Sequence, residues 1–130
     1  MNTLLGFDFG ERRIGVATGQ TRTRTATALT TLTWGPEAPL PWDRIAALIR
    51  EWQPDALVVG LPLHGDGTES TMAARVRRFA RQLAGRFRRP VHFVDEYLTS
   101  WAAERSGARG ARIDAEAARL LLQDWLDRQA

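Results

Sequence analysis

The chain predicts an α/β domain in which one mixed five-stranded sheet carries helices on both faces, and three observations point there. The first quarter consists of short apolar, threonine-rich runs separated by tight-turn residues. The remainder alternates stripes of helical period with short continuous apolar runs, as strand–helix–strand units do. Glycines and prolines such as Gly10, Pro54, Pro62, Gly65 and Gly67 punctuate these segments. The predicted order is β-β-β-α-β-α-β-α-α, a three-layer α/β/α arrangement forming a single domain over residues 1–130.

Leu4 to Phe9 is the first strand, Gly10 and Glu11 its turn, and Ile14 to Thr18 its hairpin partner. Thr25 to Trp34 completes an antiparallel meander. Ile45, Leu48, Ile49 and Trp52 then fall at i, i+3, i+4 and i+7, an amphipathic helix that Pro54 stops. Ala56 to Val59, a continuous apolar run, suits a parallel strand buried on both faces. A loop containing Pro62, Gly65 and Gly67 follows. Met72, Val76, Phe79 and Leu83 mark the next helix, and Pro90 to Asp95 the last strand. Thr99 to Arg105 reads as a short helix and Arg105 to Arg112, with Gly107 and Gly110, as a flexible loop. Asp114 to Arg128 is the final helix, with Ala117, Ala118, Leu121 and Trp125 on one side.

Composition narrows the chemistry. With no cysteine, disulfides and thiolate metal sites are excluded, so a bound metal must use oxygen or one of the two histidines. That donor set favours hard divalent cations, Mg²⁺ or Mn²⁺. No stretch reaches the roughly 18 apolar residues of a membrane span, and no signal peptide is evident, so a cytoplasmic protein with no membrane partner is expected. The formal charge of +3 and pI of about 10.8 suit a nucleic-acid partner. All 18 basic residues are arginine, which by itself raises the pI. Their placement says more: between Ser70 and Val94 there is no acid, while Arg75, Arg77, Arg78, Arg81, Arg86, Arg88 and Arg89 all lie there. That run is either a solvated helix face or a phosphate-binding surface.

Three acidic positions stand out at strand and helix ends. Asp8 interrupts an apolar strand and shares a face with Leu4 and Gly6; it either opens the turn, pairs with Arg12 or Arg13, or meets a cation. Asp95 and Glu96 end another apolar strand, and spacing does not choose between them. Asp114 opens the last helix, where it is a natural N-cap, yet it also heads that helix's apolar stripe. Acids delivered from two strand ends and a helix start would repel one another unless divalent cations neutralise them. Two ions about 3.5–4 Å apart could hold a phosphodiester, activate water and stabilise the leaving oxygen, with no histidine base. His64 and His92 are isolated; His64, in the loop after Gly60, could touch substrate.

The segments "LLGFDFGERRIGVATG", "PDALVVGLPLHGDGTES", "FVDEYLTS" and "IDAEAARLLLQDWL" together resemble, in order and spacing, the four blocks of the YqgF family, also called RuvX. The resemblance covers nearly the whole chain. It implies a ribonuclease-H-like fold and a nuclease that processes the 5′ end of pre-16S ribosomal RNA in ribosome biogenesis, long described as Holliday-junction-resolvase-like. It places the family's catalytic, metal-binding acids at Asp8, Glu96 and Asp114, choosing Glu96 over Asp95. The family's Gly-Leu-Pro loop corresponds to Gly60, Leu61 and Pro62, and the substrate loop is expected to comprise Gly60, Pro62, His64, Asp66 and Thr68. Backbone N–H groups at the helix start after it could hold a phosphate. Two departures bear on substrate grip. Tyr97 stands where the family has arginine after its Asp-Glu pair, and the segment before Asp114 is short, though Arg105, Arg109 and Arg112 keep some of its charge.

The expected phosphate contacts are Arg12, Arg13, Arg75, Arg77, Arg78, Arg81, Arg105, Arg109 and Arg112. Trp34, Trp42 and Trp101 are candidate stacking surfaces, with Trp52 and Trp125 on apolar stripes. The alternatives are resolution of four-way DNA junctions, which would call for a homodimer, and a non-catalytic RNA-binding module. The hairpin "DFGERRIGVA" is also compatible with the phosphate-binding turn of actin-like sugar kinases, but those enzymes hold ATP between two domains of this fold and 130 residues make one.

Overall fold

The computed structural model describes residues 2–35, 39–97 and 111–129. Its elements are β1 (Thr3–Phe9), β2 (Arg13–Gln20), β3 (Thr25–Thr33), α1 (Trp42–Trp52), β4 (Ala56–Leu63), α2 (Thr71–Phe87), β5 (Val91–Tyr97) and α3 (Ala111–Asp127). The strands form one sheet in the order β3-β2-β1-β4-β5. The meander pairs antiparallel, while β1–β4 and β4–β5 are parallel. The short helix expected over Thr99 to Arg105 lies outside the described residues.

Period-two alternation divides the sheet between two cores. Leu5 and Phe7 of β1, Ile14 and Val16 of β2, and Leu57 and Val59 of β4 pack under α1 and α2, meeting Ile45, Ile49, Val76, Phe79 and Leu83. Leu4, Ala17, Ala56, Val58 and Val94 face the other way, beneath Ala118, Leu121, Leu122 and Leu126 of α3. The helical stripes read from the sequence are the faces that are buried. Both α1 and α2 stop through a left-handed residue, Gln53 (φ 46°) and Arg88 (φ 55°), whose N–H groups donate to Ile49 O and Ala84 O. Pro54 therefore follows a completed C-cap. No helix among the described residues is long and apolar enough to cross a membrane.

α3 lies unusually close to the sheet because glycines line its path. A Cβ on Gly6 or Gly19 would press on the Leu122 side chain at 3.0 or 2.9 Å. At Gly15 the obstacle is backbone: a Cβ would stand 1.9 Å from the Asp114 carbonyl oxygen. The first turn of α3 is thus seated directly on β2.

Three boundaries differ from expectation. β4 does not end at Val59 but runs on to Leu63, so Gly60 and Pro62 belong to a strand and not a loop. Pairing with β1 stops at Phe7↔Val59, whereas pairing with β5 continues to Leu63↔Tyr97. The Pro62 carbonyl points away from β5, accepting from Ser70, so its missing N–H falls on the side with no ladder to complete. β5 likewise extends past Asp95 to include Glu96 and Tyr97. Finally, α3 begins at Ala111, immediately after Gly110, so Asp114 sits within the first turn and is not its N-cap. No capping side chain marks that start in the sequence.

Gly15→Ala should destabilise the protein by about 3 kcal/mol or more, the upper range for overpacking, because backbone cannot yield as a side chain can. Gly85→Ala, in α2 with nothing within 4 Å of the added Cβ, should stabilise it by roughly 0.5–1 kcal/mol. Urea unfolding of both variants checks the pair; a Gly15→Ala protein as stable as the parent would contradict the close seating of α3.

Candidate active site

Asp8 is the penultimate residue of β1 and faces α3, on the same side as Leu4 and Gly6. Its partner across β2 is Gly15. On its other flank, one step beyond Phe7↔Val59, lies Gly60 of β4. A carboxylate in the middle of the sheet is therefore bordered on both sides by residues without side chains. Gly60 is occupied from above: a Cβ there would stand 3.3 Å from Glu96 Oε1 and 2.9 Å from Leu121 Cδ2. The Glu96 carboxylate thus lies over Gly60, on the α3 face that also carries Asp8. Asp95, one residue away, is exposed and alternates to the opposite face.

Asp114 arrives from the third element. Its backbone is seated on Gly15, the cross-strand partner of Asp8, so α3 brings it to the same face and the same end of the sheet. In the first turn of a helix its charge is favoured by the dipole. The side chain is 15% exposed, its Oδ2 is shielded from solvent, and Arg13 Nε lies 2.7 Å away. That contact is primarily Coulombic, because the N–H is poorly aligned for a directed hydrogen bond. Among the described residues, no three Asp, Glu or His side chains are gathered closely enough to hold a metal ion. Asp8, Glu96 and Asp114 share a face and an end without closing on one point.

The segment after β4 is built from its own polar groups. Thr68 donates to Asp66 Oδ1 from its hydroxyl (2.7 Å) and its N–H (3.0 Å), the His64 N–H donates to Thr68 O (2.7 Å), and the Gly67 N–H donates to His64 O (2.9 Å). The two Thr68 donors, hydroxyl first, hold the Asp66 carboxyl below its ordinary range. Ser70 precedes α2, but its hydroxyl turns back to Pro62 O (3.0 Å) and does not cap the helix. His64 is exposed at the rim of this loop.

The arginines separate by position. Arg12 is exposed in the β1–β2 turn, and Arg13 opens β2 beside Asp114. Arg75, Arg78 and Arg81 are exposed on α2. That helix covers the face opposite the three acids, but it starts at the same end of the sheet. Arg75 is nearest the rim, 3.7 Å from Glu11 in the β1–β2 turn, and each three-residue step recedes by roughly 4.5 Å along the axis. Arg77 is engaged, donating to Glu69 (2.6 Å) and lying over Phe93 at 5.3 Å. Its guanidinium holds Glu69 below the ordinary carboxylate range. Arg112 falls within α3; Arg105 and Arg109 lie outside the described residues.

Trp34 and Trp42 are spent on packing, against Phe9 and Phe79, so neither is a free stacking platform, and Trp101 lies outside the described residues. His92 stacks on Trp125 at 5.2 Å, away from the acids. Sequence reading did not foresee Gly15 as the seat of α3, nor Arg13 as the partner of Asp114. The signal for the first was available: Gly15 stands opposite Asp8 in any hairpin with a turn at Gly10 to Arg13.

Comparison with known proteins agrees with this geometry. The family model RuvX, described as Holliday junction resolvase, matches residues 2–128. A relative from Pseudomonas putida is 50% identical over 98% of this chain and 96% of its own length, and one from Azotobacter vinelandii is 50% identical over 95% and 92%. Both bear the name "Putative pre-16S rRNA nuclease". Among solved structures, Thermus thermophilus RuvC in complex with a Holliday junction substrate superposes with a TM-score of 0.60 at 14% identity, covering 99% of this chain and 96% of that one. That likeness bears out the expected ribonuclease-H-like α/β/α fold. With the family model spanning almost every residue and half of all positions shared with its relatives, the chain belongs to the RuvX family of nucleases.

Proposed function

We propose that the chain is a metal-dependent nuclease that hydrolyses phosphodiester bonds at the 5′ end of pre-16S ribosomal RNA, with Asp8, Glu96 and Asp114 as its catalytic and metal-binding carboxylates. The observation that carries this reading is convergence: β1, β5 and α3 each bring one acid to the same face and end of the sheet, and the residues flanking Asp8 are glycines. The substrate follows from the names of the close relatives.

The donor set fits a hard divalent cation. All three donors are carboxylates, and the shielded Asp114 oxygen already has a positive charge beside it. When bound, Mg²⁺ or Mn²⁺ there would supply a lowered pKa for attacking water and neutralisation of charge on the phosphate. The chain's own contribution is positional. The sheet fixes Asp8, the absence of side chains at Gly15 and Gly60 lets the Asp114 backbone and the Glu96 carboxylate come down on either side of it, and exposed Arg12 and Arg75 border the entrance. Loop residues His64, Asp66 and Thr68 form the neighbouring rim, rigidified by their mutual hydrogen bonds. The second reading, cleavage of four-way DNA junctions, is favoured by the family's description; paired symmetric cuts would require a homodimer. A cytoplasmic site of action accords with either.

End-labelled pre-16S RNA and a four-way junction, each with Mg²⁺, Mn²⁺ or EDTA, distinguish the readings. RNA cutting that EDTA stops is expected, and Asp8→Asn should reduce it by more than about a hundredfold, beyond the loss of an outer-shell partner, while leaving the protein folded. Paired nicks in the junction with the RNA intact would transfer the assignment to DNA, and binding without cutting to a non-catalytic module. In a second measurement, Arg78→Ala and Arg81→Ala should each flatten the slope of log affinity against log salt for single-stranded RNA by about 0.7. Arg77→Ala should flatten it less, because Glu69 already matches that charge. Slopes indistinguishable from the parent's would remove the α2 arginines from the RNA-binding surface.

A further inference from the structure

Arg13 and Asp114 form a contact that joins one of the expected phosphate-binding arginines to one of the proposed metal-binding acids. Arg13 is the first residue of β2, and two residues on, along the same face, is Gly15, on which the Asp114 backbone rests. The Arg13 side chain remains 32% exposed, whereas that of Asp114 is 15% exposed, so the pair sits at the mouth of the site with its acidic half inward.

We infer that Arg13 is an exchangeable cation on Asp114: it neutralises this carboxylate in the metal-free protein and is displaced outward when a divalent ion binds. The inference rests on the metal-dependent reading above. Two features support it. A guanidinium and a divalent cation compete for the same shielded carboxylate, since each disfavours the other at such range. Moreover, Arg13 is the partner with room to leave. The contact of the Asp114 carbonyl with Gly15 fixes how closely the start of α3 sits on β2, while the Arg13 side chain, at the start of its strand and 32% exposed, has solvent beside it. In the same contact lies a reason the three acids are not gathered among the described residues: Asp114 is held by Arg13. Displaced, the guanidinium comes to stand beside exposed Arg12 at the entrance, where it adds a cation for the incoming phosphate. Metal and nucleic acid would then promote one another's binding through a single side chain.

Mn²⁺ affinity of the parent and of Arg13→Gln, measured by calorimetry, tests this without reference to cutting. Removing the competing cation should tighten Mn²⁺ binding roughly fivefold or more, the lower end of typical coupling between two ligands. Equal affinity in the two proteins would make Arg13 a structural pin, and weaker binding in the variant would make it a fixed supporting partner of the ligand; either result overturns the exchange while the metal site stands. Failure of both proteins to bind Mn²⁺ would remove the metal reading itself, and the exchange with it. A second measurement needs no substitution: in the parent, the NMR resonance of Arg13 Nε should shift as Mg²⁺ is added and the neighbouring carboxylate is taken from it. A resonance unchanged at saturating Mg²⁺ overturns the proposal even if Arg13→Gln does not fold.

Discussion

The contact of the Asp114 carbonyl with the bare α-carbon of Gly15 sets the geometry on which the rest of the structure depends. Because no side chain intervenes, the first turn of α3 sits on the backbone of β2 directly opposite Asp8. From that anchor the helix descends across the sheet, its Leu121, Leu122 and Leu126 filling the space left by Gly6, Gly19 and Gly60. An ordinary helix–sheet separation would hold Asp114 farther from the strand that carries Asp8. Small residues here act through what they omit, and interior packing leaves little room for relaxation.

The sheet's two faces divide the labour. The face under α1 and α2 is a conventional apolar core, with Phe7 edge-on to Phe79 at 5.9 Å and large aliphatics throughout. The α3 face is apolar only toward one end; at the other, where β4 and β5 outrun β1, it becomes polar. Ligand sites in open α/β sheets commonly lie beyond the carboxyl ends of parallel strands, and Asp8 and Glu96 stand at the carboxyl ends of β1 and β5. The charge of Asp8 is tolerated in a central strand because it lies at that end and is only half-buried.

Most of the fold was legible because it is written in periodicity. The stripes of Ile45 to Trp52, Met72 to Leu83 and Ala117 to Trp125 are the buried helix faces, and the alternating β1 run put Asp8 on the correct side. What escaped depended on tertiary context. Gly60 and Pro62 look like loop residues until β5 is in place to continue β4 past β1. The start of α3 at Ala111 has no local cap to announce it, so Asp114, the first acid of the segment, drew the boundary to itself. Of the site, the shared face of Asp8, Glu96 and Asp114 was predictable once the blocks were matched to a family. The Arg13–Asp114 pair was not, because no local rule links the start of a hairpin strand to a helix so much later in the chain.

The helix that supplies Asp114 also packs against all five strands. Without it, β1 to β5 could collapse with α1 and α2 while Leu4, Ala17, Val58 and Val94 still lacked their cover. Until α3 docks, Asp114 is not brought to the end of the sheet that carries Asp8 and Glu96, and one face of the sheet remains bare. Covering of the second core and the gathering of the three acids at one end of the sheet are therefore a single docking event.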